Sequence, residues 1–457
     1  MLGSIQLGPV HDSRRSGIRR DATERNHSRS SAAFSWMGRG SNVWPAAARS
    51  RAALGHRMTA VISSVQSADA RGGVANVVDR LGTAKLAIRE QYLASEACPW
   101  VVAYSGGKDS TLLLQLTWEV IADLPVTKRC RRVYVVGNDT LVESPLVIGH
   151  LRTTLGEIGV AAAAADLPIE TRITKPHVDQ TFWVNVIGRG YIPPTRNFRW
   201  CTDRMKIHPT NRLLANLIRA HGGAVLLVGT RRSESDNRRR AMDRRGVTAG
   251  QLNPHATMDH CWMFAPLADF EDQDVWLVLM QRRPPWGGTH RNLITLYRNA
   301  GGGECPLVLT KDDAPSCGTS SPRFGCWTCT VVKKDRSLRG LIASGHAEAD
   351  VFTRLFEFRE WLVELRENDG NRESVRRDGN VRFRADGSQV MGPFTLGVRK
   401  QILEELRTLQ DDVSQQLISP AEEEVIEDIW RRDLVREECR SALRAAVGLV
   451  PEEIAAG

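Results

Sequence analysis

The 457-residue chain has no run of about 18 apolar residues, so no membrane-crossing helix is expected. It shows no secretory signal pattern either. The expectation is a cytoplasmic protein with no membrane partner and with its thiols kept reduced. Its nine cysteines then read as metal ligands or working thiols rather than as a disulfide framework. The common nucleotide loop, G-x-x-x-x-G-K-[ST], is missing as well. Lysine is absent from residues 1–60, which hold ten arginines against Asp12, Asp21 and Glu24. That stretch supplies +7 of the net charge of +9, so the rest is near balance. Overall basicity therefore does not argue that the folded part binds nucleic acid, and any such surface must be local.

The length allows two or three domains. Residues 1–70 are rich in Arg, Ser, Ala and Gly, lack a sustained period and are expected to be disordered. Three readings fit them: a basic arm on DNA, an organellar transit peptide, or leader translated from a start codon set too early, with the true start near Met58. The last is preferred, and none enters the mechanism.

The chain is organised around Val101 to Leu114. Trp100 to Tyr104 is a short apolar run of the buried-strand kind. Ser105-Gly106-Gly107 allows a tight turn and close approach to a ligand. Lys108, Asp109 and Ser110 then open an apolar-periodic helix, whose free N–H groups and dipole favour an anion. The six residues Ser105 to Ser110 resemble the pyrophosphate loop of the ATP pyrophosphatase superfamily.

Further strands are expected at Arg132–Val136, Ile169–Ile173 and Ala224–Val228, with helices between them. That alternation predicts an α/β fold, a doubly wound parallel sheet of the pyrophosphate-loop (adenine nucleotide alpha hydrolase-like) type, over about 75–300. Ligands should sit at the carboxyl ends of its strands. Asp139, after the second strand, is a candidate for Mg²⁺ or ribose, or else belongs to an Asn-Asp turn. After the fourth strand, Arg231 and Arg238 are candidate phosphate contacts. Arg239, Arg240, Arg244 and Arg245 face water or track DNA phosphates. Trp286, His290, Arg291, Asn292 and Tyr297 either line a base-binding groove or pack a loop.

Cys201 lies near a predicted helix start with Arg199, Arg204 and Lys206 around it, all of which should lower a thiol's pKa. It reads as a functional thiol or sulfur carrier. Cys305, Cys317, Cys326 and Cys329 follow as C-x11-C-x8-C-x2-C, with Gly and Pro around them. That is a loop wrapped round a metal over 301–334. Zinc and a [4Fe–4S] cluster both suit four thiolates, but irregular gaps and the lack of a nearby paired His do not match a usual zinc ribbon. Residues 335–457 should be mostly helical. A hairpin-like insert at 370–392 carries Arg372, Arg376, Arg377, Arg382 and Arg384, a local candidate for DNA phosphates.

The ordered set is narrower than any one motif. The loop, Arg199 to Lys206, Gly229-Thr230-Arg231, the four cysteines and Gly392-Pro393-Phe394-Thr395 resemble the DndC family, the sulfurtransferases of bacterial DNA phosphorothioation, over about 75–450. The resemblance implies replacement of a non-bridging DNA phosphate oxygen by sulfur through an adenylated intermediate. It implies ATP with Mg²⁺, a [4Fe–4S] cluster on the four cysteines, and a cysteine desulfurase and other Dnd proteins as partners. Catalytic roles fall to Lys108, Asp109, Cys201 and Arg231. Three alternatives remain at this stage. Reduction of an adenylylated sulfate calls for a cysteine near the C-terminus, and Cys439 sits inside a predicted helix. Thiolation of tRNA calls for an RNA module, and none is recognised. A non-catalytic iron–sulfur DNA-binding subunit would release no pyrophosphate.

Overall fold

The computed structural model describes residues 77–94, 98–195, 197–300, 325–331, 335–343 and 346–446. The basic stretch 1–70, Cys305 and Cys317 lie outside the described residues.

The first helix, α1 (Val77–Ala94), leads to strand β1 (Trp100–Ala103) and helix α2 (Lys108–Ala122). Then come β2 (Val133–Asn138), α3 (Pro145–Ala164, with Pro at its start) and β3 (Ile169–Thr174). After a crossover come α4 (His208–His221) and β4 (Ala224–Leu227). The order in the sheet is β3-β2-β1-β4, extended by β6 (Cys261–Phe264) and β5 (Leu252–Pro254). The five strands from β3 to β6 are parallel, and β5 pairs antiparallel at the edge.

Strand side chains alternate between faces, and here both faces are covered. Trp100, Val102, Val133, Val135, Val225 and Leu227 enter one core with α1, α2 and α3. Val101, Tyr134, Val136 and Leu226 face the other way, onto Leu214 and Leu217 of α4. This is the doubly wound arrangement that the alternating pattern implies. The four expected strands are all present. The edge strand β5 was not expected, because three residues ending in proline carry no period.

Three further helices complete this half: α5 (Asp236–Arg244), α6 (Asp272–Gln281) and α7 (Arg291–Ala300). The C-terminal half is helical: α8 (Arg336–Ala343), α9 (Ala349–Glu367), α10 (Leu396–Val413) and α11 (Pro420–Ala446). It does not build its core alone. Phe352, Leu355, Leu362, Ile402, Leu406 and Ile426 share one cluster with Phe182, Trp183, Trp200, Met205 and Trp327. Phe182 stacks on Trp200, and the Trp183 indole N–H donates to the Leu417 carbonyl at 2.8 Å.

Trp286 and His290 belong to the first half's packing. Trp286 lies edge-on to Trp118, with ring centroids 6.1 Å apart. Gln115 donates its amide to Glu119 and to the Arg283 carbonyl, so its oxygen faces His290 Nε2 at 3.0 Å. That nitrogen must carry the proton. Burial, with His150 nearby, pushes the His290 pKa down to about 4. The native state therefore binds fewer protons than the unfolded chain once pH falls below the ordinary imidazole value. Stability should fall between about pH 6.5 and pH 4, by ~2–3 kcal/mol from this residue. Thermal melts of wild type and His290→Gln across that range test this: the variant should show a shallower decline.

Candidate nucleotide and thiol sites

At the end of β1 the chain turns through Ser105, Gly106 and Gly107, and Gly106 takes φ +74°. The Ser110 hydroxyl accepts from the Ser105 N–H at 3.2 Å and donates to the Gly107 carbonyl at 2.9 Å. Thr111 donates to the same carbonyl at 2.9 Å. The two serines and the first turn of α2 thus hold the loop's shape. A Cβ on Gly229, at the end of β4, would lie 2.8 Å from the Asp109 carbonyl oxygen. Only glycine lets β4 pass so close to the helix start. Tyr297 of α7 brings its hydroxyl to the Lys108 N–H at 3.3 Å.

Four charges meet beside this loop. Lys108 Nζ lies 3.0 Å from Asp109 Oδ2 and 2.9 Å from Asp272 Oδ1. Arg231 Nε donates to Asp109 Oδ1 at 2.7 Å, and its Nη2 donates to Asp272 Oδ1 at 2.8 Å. Arg231 is 1 % exposed, and its Nη1 is held by Ser233 Oγ at 2.8 Å. Burial works against the Lys108 ammonium, but Asp109 and Asp272 outweigh it and the pKa rises. The Asp272 carboxyl is held low by Lys108 and Arg231 against the opposing effect of burial. Arg231, expected as a phosphate contact, is thus engaged by carboxylates. Sequence reasoning missed Asp272, which reads only as acid in the first turn of a helix.

Asp139 and Arg238, also expected at the nucleotide, have other partners. Asp139 is buried, with Leu141 N–H on Oδ1 at 2.9 Å and Arg152 on Oδ2 at 2.7 Å. It holds a turn in which Leu141 takes φ +67°. Arg238 is on the exposed first turn of α5, 3.2 Å from Glu234.

Strand β2 neighbours β1, and the turn after it opens onto the cysteines. Glu143 forms a β-bridge with Cys326, and the Trp327 N–H donates to the Val142 carbonyl at 3.0 Å. The Cys329 N–H donates to the Cys326 carbonyl at 3.0 Å, the tight turn of a Cys-x-x-Cys. Thr140 Oγ1 is 3.3 Å from Cys326 Sγ. Lys206 Nζ pairs with Glu143 at 3.2 Å. Cys201, on the short helical turn Trp200–Thr202, packs against the same core as Cys326.

The low thiol pKa expected for Cys201 is not what the surroundings give. Burial pushes it up, and Cys329 raises it further against the opposing effect of Lys206. Arg199 is exposed, and Arg204 turns its guanidinium to Gln180 and the face of Tyr191. Of the three basic neighbours in sequence, Lys206 brings its charge to the thiol, while Arg199 and Arg204 are turned elsewhere. Burial also raises Cys326. Among the described residues no three His, Cys, Asp or Glu side chains are set to hold a metal ion.

A doubly wound sheet with a Ser-Gly-Gly-Lys-Asp-Ser turn at its central strand defines a nucleotide-binding α/β protein. The chain belongs to the phosphoadenosine phosphosulfate reductase domain family, whose model matches residues 99–332. An uncharacterised protein of Methanocaldococcus jannaschii is 24 % identical over 190 residues, 41 % of this chain and 32 % of that one. The chain thus spans about a third of that relative's length. Among solved structures, phosphoadenylyl-sulfate reductase of Candida auris is 14 % identical with a TM-score of 0.30. The match covers 46 % of this chain and 89 % of that one. The U34-tRNA thiolase of Methanococcus maripaludis, solved with its [4Fe-4S] cluster, is 11 % identical with a TM-score of 0.29. That match covers 62 % and 80 % of the two chains.

Proposed function

We propose that the protein is an ATP-dependent sulfurtransferase that replaces a non-bridging DNA phosphate oxygen with sulfur. The observation that carries the reading is the placement of two chemistries on neighbouring parallel strands. The phosphate-type loop follows β1, and the turn that meets Cys326 follows β2. Neighbouring strands are about 4.8 Å apart and these two run parallel, so both turns lie at the carboxyl end of the sheet.

An oxygen on phosphorus is a poor leaving group. Attack of that oxygen on the α-phosphorus of ATP expels pyrophosphate and converts it into part of an AMP leaving group. A sulfur nucleophile then forms the phosphorus–sulfur bond as AMP departs. Lys108 and Arg231 would neutralise charge gathering on the departing pyrophosphate. Both candidate carboxylates already carry cations, so Mg²⁺ held by the triphosphate would reach the part-exposed Asp109 more readily than the buried Asp139, and would there take the place of Lys108 or Arg231.

Two donors of a four-thiolate cluster, Cys326 and Cys329, are among the described residues. The Cys326–Cys329 turn is of ligand type, and the buried hydroxyls of Ser144 and Thr328 beside it have no hydrogen-bond partner. Cys305 and Cys317 would complete the set. Such a cluster, when bound, supplies thiophilic iron that can hold sulfur. Lys206 and Glu143 would hold charge and protons beside it. Cys201, loaded as a persulfide by a sulfur donor, would bond its outer sulfur to phosphorus as AMP leaves. A second thiol then cleaves the S–S bond, freeing the phosphorothioate and forming a disulfide.

Support for DNA as acceptor comes from the insert between α9 and α10. Arg372 and Arg377 anchor it, the first on the Gly392 carbonyl at 3.0 Å and the second on Asp433 at 2.9 and 3.1 Å. Residues 378–388 are all exposed, with Phe383 at 66 %. In extended chain, Val381 and Phe383 fall on one face and Arg382 and Arg384 on the other. Replacing Arg382 and Arg384 together by alanine should weaken binding of a duplex oligonucleotide. It should also lower the salt slope of log K by about 2. Anisotropy titrations at several salt concentrations read both.

The central test is mass spectrometry of nuclease-digested host DNA with and without the gene. Phosphorothioate-linked dinucleotides that vanish on deletion support the proposal. Their absence while partner genes are expressed would overturn it and direct attention to thionucleosides in tRNA or growth on sulfate.

A further inference from the structure

Asp272 is the first residue of α6, yet it has no part in capping that helix. Glu271 is the cap: it accepts from the backbone of the third helical residue, and Asp274 reaches back to the Glu271 N–H at 2.7 Å. This reciprocal pair satisfies the helix start and leaves the Asp272 side chain free for another task. That side chain reaches to the loop, where one oxygen, Oδ1, touches Lys108 Nζ at 2.9 Å and Arg231 Nη2 at 2.8 Å.

One anionic oxygen shared between a lysine and an arginine beside a glycine turn and a helix N-terminus is the environment of a bound phosphate oxygen. Arg231 is fixed by its own surroundings, through Ser233 Oγ and the Phe270 carbonyl. Lys108 has no such tether: the ion pairs recorded for its ammonium are with Asp109 and Asp272. Asp109 belongs to the loop itself, whereas Asp272 comes from another helix and its side chain is half exposed. Asp272 can therefore give up the cations without disturbing the loop.

We infer that Asp272 is a positioning residue, an internal counter-anion that holds Lys108 and Arg231 on the phosphate position and must be displaced by the incoming polyphosphate. The inference rests on the nucleotide reading above. It adds a selectivity rule, since an anion must outcompete a carboxylate already in place. A single phosphate has little to offer in that exchange. A pyrophosphate unit carries more charge and can engage the loop N–H groups as well. Release of pyrophosphate is eased by the same competition, because the returning carboxylate takes the cations back.

The alternative is a static strut tying α6 to the loop, and the two differ in the sign of one measurement. Asp272→Asn keeps the size of the side chain and removes its charge. Under displacement, the variant should bind inorganic pyrophosphate about tenfold more tightly, the return of roughly one charge-assisted contact to the ligand. A strut predicts unchanged or weaker binding. Calorimetric titration of wild type, Asp272→Asn and Asp272→Ala with pyrophosphate and with phosphate reads the sign. In turnover, a lower KM for ATP with a lower kcat, relieved by salt, is the matching kinetic signature.

Wild-type pyrophosphate release from ATP, measured in parallel, keeps the two claims apart. Turnover in wild type with no gain in affinity in either variant sinks the counter-anion and leaves the enzyme. A gain in affinity without wild-type turnover sinks the enzyme and leaves the counter-anion. No pyrophosphate binding by any of the three proteins sinks both.

Discussion

Methionine in place of Arg231 should reduce pyrophosphate release about 100-fold or more and lower the melting temperature by several degrees. Both effects follow from where the side chain sits. Arg231 is almost fully buried and bridges Asp109 to Asp272. Removing one partner of a buried ion pair costs roughly 3–5 kcal/mol, because the opposing charge stays uncompensated. Here Asp272 is half exposed, so water recovers part of that, and a loss of about 2–3 kcal/mol is expected. The catalytic loss is separate. Removing one preorganised donor to developing charge costs on the order of 10²–10³ in rate. Lysine at 231 should not rescue, since a point charge cannot span two carboxylates and Ser233 together. Calorimetric melts and a pyrophosphate-release assay check the two parts. A variant that melts lower but turns over normally would remove Arg231 from the chemistry.

The second large effect lies at the thiols. On the proposed function, serine at Cys329 should abolish both iron binding and DNA modification. Asp109→Ala should abolish pyrophosphate release while iron content stays at the wild-type level. The dissociation is expected because Asp109 follows β1, Cys329 lies in the 326–329 turn against the turn after β2, and the two have no common partner among the contacts described. Iron analysis, visible absorbance and phosphorothioate yield on the same preparations test it. Full modification by Cys329→Ser would take the cluster out of the mechanism. Cys201→Ser should keep its iron and lose modification if that thiol carries sulfur; full modification by the variant would take that role away.

The sheet was legible because each central strand is a short apolar run bounded by turn residues. Val133 to Val136 is one, and Ala224 to Leu227 another. Burial on both faces removes the alternation that would otherwise mark a strand, and length then decides. The loop was legible because its residues are contiguous. What contiguity could not show is the other half of each site. Asp272 comes from a helix far along the chain, and its first-turn position already has an ordinary explanation. Tyr297 reached the loop from a group whose other aromatic, Trp286, went into the core. Cys201 misled in the opposite sense: its basic neighbours in sequence were real, but the local helical path sends Arg204 to Tyr191 and leaves the thiol beside Cys329.

The core shared by Trp200, Met205 and the C-terminal helices bears on any attempt to trim this protein. The segment that matches the family model stops at residue 332. Its own apolar surface does not stop there, since Trp183 and Trp327 meet Phe358, and Trp430 donates to the Ile187 carbonyl at 2.9 Å. A fragment cut at that boundary would present a broad oily wall to water and gather into aggregates. The core that Cys201 and Cys326 pack against also takes in Phe358, Ile402 and Ile426 of the tail, so the family segment and its helical tail should fold only together.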